Sequence, residues 1–257
     1  LNSSSIFYKL LNNLYNKCYG KFDNIITIGN DMSEIFKSKI HYKYHHKIKV
    51  ITNWSETDEV KPSLKKDNPI IKKLKLENKI VILFAGNIGR LQSIEKLIPI
   101  INKCDDKKFH FLFLGEGAIL DDLKKEVKKT EISNISFMDN LPREKQNMFL
   151  NACDIGLVTL SPKMYGLGVP SKSYNILAAG KPILYIGHPK SEIALMIKSS
   201  KIGWAIDNND ISKIPILLNQ IYEKECLETI SKGCRKLALS KYSKEVILDK
   251  YFKLINS

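Results

Sequence analysis

From residue 168 to residue 184 the chain reads GVPSKSYNILAAGKPIL. Gly168 and Pro170 fix the approach to a short helix whose first free amides fall near residues 169–172. A phosphate placed there would meet backbone donors and the positive end of a helix dipole. Ser171 adds a hydroxyl and Lys172 a full positive charge. This is chemistry for holding an anion, above all a diphosphate. A plainer reading stands beside it, with Ser171 as a helix cap and Lys172 as a surface cation. Under either reading Gly180 ends the helix and Pro182 prevents its continuation.

Two other loops carry related chemistry. Gly86-Asn87-Ile88-Gly89-Arg90 follows an apolar run and opens onto a helix, and Gly115-Glu116-Gly117 does the same. Glycine lets the backbone approach a phosphate closely, although a tight turn explains each loop equally well. Arg90 adds a cation. Other chemistries find less support. His188 and Glu192 flank a further loop, but nothing in the sequence pairs with His188. His41, His45, His46 and His110 show no metal-ligand spacing with nearby carboxylates. No Gly-x-Ser-x-Gly elbow is present. The five cysteines are odd in number and widely spaced, which argues against a disulfide framework or a zinc site and for free thiols.

The elements that must position these loops follow from apolar runs. Residues 3–20 have helical spacing at Ile6, Leu10, Leu11, Leu14 and Tyr15. NIITIG (24–29) reads as a buried strand. Asp31 or Ser33 would cap the next helix, and KIKVITN (47–53) is a second strand. Residues 55–79 are charged and proline-bearing and read as an interdomain linker, with a short helix at 70–76. Strands then alternate with helices: 80–86, a helix from Ser93, 109–117, a helix at 118–129, 134–142, a helix through Met148 and Leu150, 153–160, the helix SYNILAAG, 181–187, a helix at 191–200, and 203–206. Helices at 210–223 and 226–256 close the chain. Continuous apolar strands between helices predict an α/β fold with a doubly wound, Rossmann-like parallel sheet. Ligands in such sheets bind beyond the carboxyl ends of the strands, where all three loops fall.

The chain has 257 residues, 44% hydrophobic, with a net charge of +14. The excess lysine is scattered, and no basic block with interleaved aromatics argues for nucleic acid. Phosphorylated substrates or an anionic membrane surface fit the charge. No run of about 18 apolar residues predicts a membrane span. The start lacks both a secretion signal and an initiator Met. Residues 1–54 hold too few elements for a doubly wound domain, so the expectation is that the rest of that domain lies upstream.

FAGNIGRLQSIEKLI, FLFLGEGAILDDLKK, ISFMDNLPREKQNMFLNACDIGLVTL, GVPSKSYNILAAGKPIL and SEIALMIKSSKIGWAI, in this order, resemble the donor-binding half of GT-B-fold glycosyltransferases. The type is family four (group 1), retaining, and the branch that of bacterial surface polysaccharides: O-antigen, capsule and colanic acid. IITIGNDM and KIKVITNW are similar to the last elements of that branch's acceptor-binding domain. The resemblance implies the tail of an acceptor domain at 1–54, a linker at 55–79, a nucleotide-sugar donor domain at 80–240, and a C-terminal helix at 241–257 returning toward the first domain.

It also implies roles for residues. Gly86, Asn87, Gly89, Arg90, Gln92, Gly168, Val169, Pro170, Ser171 and Lys172 would bind the donor diphosphate. Gly115, Gly117, Met138, Asp139, Asn140 and Asn175 would bind ribose and base. The Arg and Lys that relatives carry in the first loop correspond here to Asn87 and Gln92, with Arg90 nearby. Of two Glu residues that relatives carry before the Ala-Ala-Gly stop, the second is Asn175 and the first falls at Leu167 or Gly168. Amides of Gly168 and Val169 are the expected replacement for that first Glu. The catalytic residue is expected to be a His upstream. The implied activity is sugar transfer from a UDP-linked, N-acetylated donor to a glycan or polyprenyl-linked acceptor. It is expected to proceed with retention, without metal or cofactor, in the cytoplasm at the inner membrane face. Alternatives are a sugar-nucleotide epimerase, a sugar-phosphate synthase, or a non-catalytic nucleotide-binding module.

Overall fold

The computed structural model of the chain describes residues 5–224 and 226–256. The parts of the expectations that fall on residues 1–4 and 257 lie outside it. Two regions are present. The first contains α1 (Ile6–Gly20), β1 (Ile25–Thr27), α2 (Asn30–Lys37) and β2 (Ile48–Val50). β1 and β2 pair in parallel, with Ile25 opposite Ile48. β1 is buried on one side only, since Ile26 is 39% exposed.

The second region begins with α3 (Pro69–Leu74) and β3 (Ile80–Ala85). It continues through α4 (Ile98–Ile101), β4 (Phe109–Leu114), α5 (Leu120–Lys129), β5 (Ile135–Met138), α6 (Gln146–Leu150) and β6 (Ile155–Thr159). α7 (Lys172–Ala178), β7 (Ile183–Ile186), α8 (Glu192–Ser200), β8 (Gly203–Ile206), α9 (Ile214–Lys224), α10 (Leu227–Lys241) and α11 (Lys244–Ile255) complete it. The six strands run in the order β5-β4-β3-β6-β7-β8, every pair parallel. Chain order therefore reverses direction between β3 and β6, as in a doubly wound sheet.

Local sequence accounts for the elements. β4 is FHFLFL, buried at every position, as a central parallel strand must be. In α5, Leu123 and Val127 sit one turn apart on the buried face, with Asp121 and Asp122 in the first turn and Lys128 and Lys129 in the last. Alternate strand residues feed two cores. Val81, Leu83 and Leu112 pack with α7, α8 and α10. Ile82, Phe84, Phe111 and Phe113 pack with α4, α5 and α9. No helix among the described residues is long and apolar enough to cross a membrane.

The structure corrects three sequence expectations. Neither Asp31 nor Ser33 caps α2; its N-cap is Gly29, and the Asn30 amide donates to Glu192 of α8. The helix expected from Ser93 is one 3₁₀ turn (Ile94–Lys96) and a short α4, because Ser93 is left-handed (φ 53°) and Pro99 lacks an N–H. The final helix breaks at Tyr242, and the Ser243 hydroxyl caps α11 by accepting from the Val246 amide.

Residues 55–63 are strapped to the second region. The Ser55 hydroxyl donates to the Tyr174 carbonyl at 2.7 Å, and the Lys61 and Ser63 amides donate to Asn147 and Asn151. The Arg235 guanidinium donates to the carbonyls of Val60 (2.9 Å), Ala178 (2.8 Å) and Thr57 (3.1 Å). Val60 is fully buried beneath it. Arg235→Ala leaves those three carbonyls without this donor and is expected to lower unfolding free energy by about 2–3 kcal/mol, with Arg235→Lys losing less. Urea titration of the three proteins checks this, and an unchanged midpoint for Arg235→Ala refutes it.

Candidate functional site

At the reversal between β3 and β6 the loops following the two strands part. They open a cleft of about 330 Å³. It is lined from one side by Ala85, Gly86, Asn87 and Gln92, from the sheet by Thr159 and Leu160, and from the other side by Gly168 through Lys172. A second cleft of about 350 Å³ adjoins it, sharing Ser171 and Lys172 and adding Asn53, Trp54, Glu56, Arg143, Gln146 and Asn175. A larger groove along α10 contains none of the expected site residues and lies away from these loops.

The loop leading into α7 presents free donors. Among the described residues no protein acceptor takes the amides of Gly168, Val169, Ser171 or Lys172, and Pro170 has none to offer. Ser171 is the N-cap of α7, but its hydroxyl makes no cap hydrogen bond. Lys172 is half-buried, and its Nζ lies 3.4 Å from the centre of the Phe84 ring. No carboxylate pairs with it among the described residues. Burial pulls its pKa down to about 7. The Thr159 hydroxyl at the end of β6 is buried without a hydrogen-bond partner. The cleft is thus rich in donors, with one cation whose charge no protein anion offsets.

The first loop is more committed than its glycines promised. The Gly86 amide donates to the Leu114 carbonyl, that of Ile88 to Glu116, and that of Gly89 to Gln92 Oε1. Arg90 is exposed on the 3₁₀ turn Arg90–Gln92 and lines neither cleft. Gly115 and Gly117 have positive φ (146° and 158°), and a Cβ on either would collide with the carbonyl of Gly86 or Ile88. Their smallness lets the second loop press against the first. Met138 ends β5, its carbonyl accepting from the Gly115 amide, and the exposed Asp139 and Asn140 follow it. None of these five residues lines either cleft.

Asn175 does line the second cleft, held by two partners. Its Oδ1 accepts from the Glu56 amide at 2.8 Å, and its Nδ2 donates to Gln146 Oε1 at 3.2 Å. Sequence reasoning missed the rest of this wall. Glu56 Oε1 accepts from Trp54 Nε1 (3.0 Å) and pairs with Arg143 (2.9 Å). The one available signal was Trp54, an aromatic directly after a strand end. His188 is half-buried with its ring 4.0 Å from that of Tyr165.

The model of one family, described as "Glycosyl transferases group 1", matches residues 66–238. The chain is 35% identical over 251 residues to the "Probable glycosyltransferase WbjE" of Pseudomonas aeruginosa, covering 98% of this chain and 62% of that protein. It is 30% identical over 104 residues to the "Putative colanic acid biosynthesis glycosyl transferase WcaI" of Escherichia coli K12, covering 40% of this chain and 26% of that one. The fold matches the crystal structure of Anabaena Alr3699/HepE in complex with UDP and glucose, with a TM-score of 0.78 at 14% identity, over 96% of this chain and 66% of that one. The chain therefore spans a little under two thirds of WbjE and of the Anabaena protein. Sequence match and GT-B fold agree: this chain belongs to the group 1 glycosyl transferases.

Proposed function

We propose that this chain is the donor-binding half, with the adjoining edge of the acceptor half, of a retaining glycosyltransferase. The donor is a UDP-sugar, N-acetylated, and the acceptor a glycan or polyprenyl-linked glycan of cell-surface polysaccharide synthesis, reached in the cytoplasm at the inner membrane face. The observation that carries the reading is the set of unpartnered amides from Gly168 to Lys172 beside an uncompensated cation, at the sheet's reversal point. The Anabaena relative, solved with UDP and glucose, supports the choice of nucleotide. The colanic acid biosynthesis role given to WcaI supports the polysaccharide.

The chemistry asked of this half is departure of a nucleoside diphosphate. As the bond from the anomeric carbon to the phosphate oxygen breaks, its electron pair stays on that oxygen. Negative charge grows there while the sugar gains oxocarbenium character. Amides at the head of α7 and the Lys172 ammonium face that growing charge without having to reorient. We assign them this role without a metal ion. Asn87 and Gln92 close the opposite side of the phosphate cleft. Asn175, with Gln146, offers neutral hydrogen-bonding groups to a ribose. The catalytic residue, in our reading, is a His of the acceptor half.

Two measurements test this. Lys172→Ala is expected to weaken UDP binding by about 1–3 kcal/mol, as loss of a charged hydrogen bond does. Wild-type affinity in calorimetry would remove Lys172 from the site. The second concerns protons. Burial holds the free Lys172 amine near pKa 7, so at pH 8 most of it is neutral. A bound diphosphate favours the charged form and raises that pKa, so binding must take up a proton, and affinity falls as pH rises above 7. Calorimetry of a UDP-sugar at pH 8, in two buffers of different ionisation enthalpy, is expected to register uptake in the wild type and not in Lys172→Met.

A further inference from the structure

Glu192 sits at the first position of α8, directly after the Ser191 cap, and is only 7% exposed. No Lys or Arg pairs with it among the described residues. Its Oε2 instead accepts two hydrogen bonds from one residue of the first region, from the Asn30 amide at 2.7 Å and from Asn30 Nδ2 at 2.9 Å. Asn30 is the first residue of α2, and Gly29 before it has no side chain to cap the helix. One carboxylate thus faces the amino ends of two helices, one from each region. Their dipoles and two donors stabilise the charge that a cation would otherwise have to offset.

What α2 touches next gives this contact its meaning. A Cβ on Gly29 would lie 2.7 Å from a Val169 methyl and 3.2 Å from Glu192 Cβ, so backbone packs directly on the donor loop. Gly166 has φ 70°, and a side chain there would collide with Ile35 of α2. The loop from Gly166 to Val169 is therefore seated against the α2 segment at two points, the Val169 side chain on the bare backbone of Gly29 and the Ile35 side chain on that of Gly166. The free amides of Gly168 and Val169 lie within this loop, and those of Ser171 and Lys172 follow directly after Pro170.

Resting on the transferase reading above, we propose that Glu192 is a positioning residue for the donor loop. By gripping Asn30 it holds α2 against Gly166 and Val169, and so sets where the amides and Lys172 point. Its effect belongs to aim, which matters most at the charge-separated transition state, more than to ground-state binding.

The experiment uses the full-length protein carrying Glu192→Ala or Glu192→Gln. For Glu192→Ala, kcat per folded molecule is expected to fall at least about 10-fold, because small misplacements of oriented groups are costly. Affinity for the intact UDP-sugar, whose leaving oxygen is not yet charged, is expected to stay within about 3-fold of wild type, the pattern of an interaction strengthened at the transition state. Glu192→Gln keeps an oxygen for the Asn30 amide and is expected to recover most of the rate. Hydrogen exchange should quicken in Glu192→Ala at both 30–37 and 166–172. An unchanged kcat, an equal loss of UDP-sugar affinity and rate, or quickened exchange confined to α2 would each overturn the proposal. Protection of 168–172 by UDP in the wild type tests the transferase reading separately. Should that protection be absent while exchange still couples the two segments, the donor assignment falls and the coupling stands.

Discussion

An amide that finds no carbonyl within the protein must find water or a ligand, and four such amides lie together at Gly168, Val169, Ser171 and Lys172. Much else in the second region follows from keeping them free. β3 and β6 lie side by side in the sheet, but β3 leads on to β4 and β6 to β7, on opposite sides. Their loops therefore diverge, and the backbone between them has no neighbouring strand to pair with. Pro170 removes one donor that would otherwise compete, and the short α7 adds its dipole to the rest. Phe84 holds the Lys172 ammonium over its ring face, where a buried charge is partly compensated without a carboxylate that would repel an anion.

The glycines divide the labour around this opening. Gly115 and Gly117 bring the second loop onto the first, which gives its Ile88 amide to that contact while the Gly86 amide goes to the end of β4 and the Gly89 amide to Gln92. On the far side Gly29 and Gly166 work differently: each leaves bare backbone on which a side chain of the other segment, Val169 or Ile35, is seated, so α2 leans on the α7 approach.

Much of this was legible in the chain. Fully apolar runs such as IVILFA and FHFLFL can sit only in a sheet covered on both faces, and the loops between them declared the ligand edge. The Pro-Ser-Lys approach to α7 was readable because capping and dipole effects are local. What escaped was set by distance. The Gly89 amide is taken by Gln92, but the Ile88 amide is taken by Glu116, and the Asn175 carboxamide by the Glu56 amide 119 residues away. No local pattern encodes such partners. Trp54 and Arg143 reached the second cleft only because the strap at 55–63 folds back on α6 and α7. The helix expected from Ser93 is interrupted for local reasons, a left-handed residue at its start and Pro99 as the second residue of α4.

That strap has a mechanical consequence. Because Ser55, Thr57 and Val60 are tied to α7 and α10, and Ser55 lies parallel to Ser243, the crossing between the two regions is narrowed to the few residues on either side of Trp54. If the lobes swing, the hinge is there and nowhere along the long charged stretch that follows. Trp54 and Glu56 would then form the pivot side of the second cleft, so a change in lobe angle is felt by that cleft first.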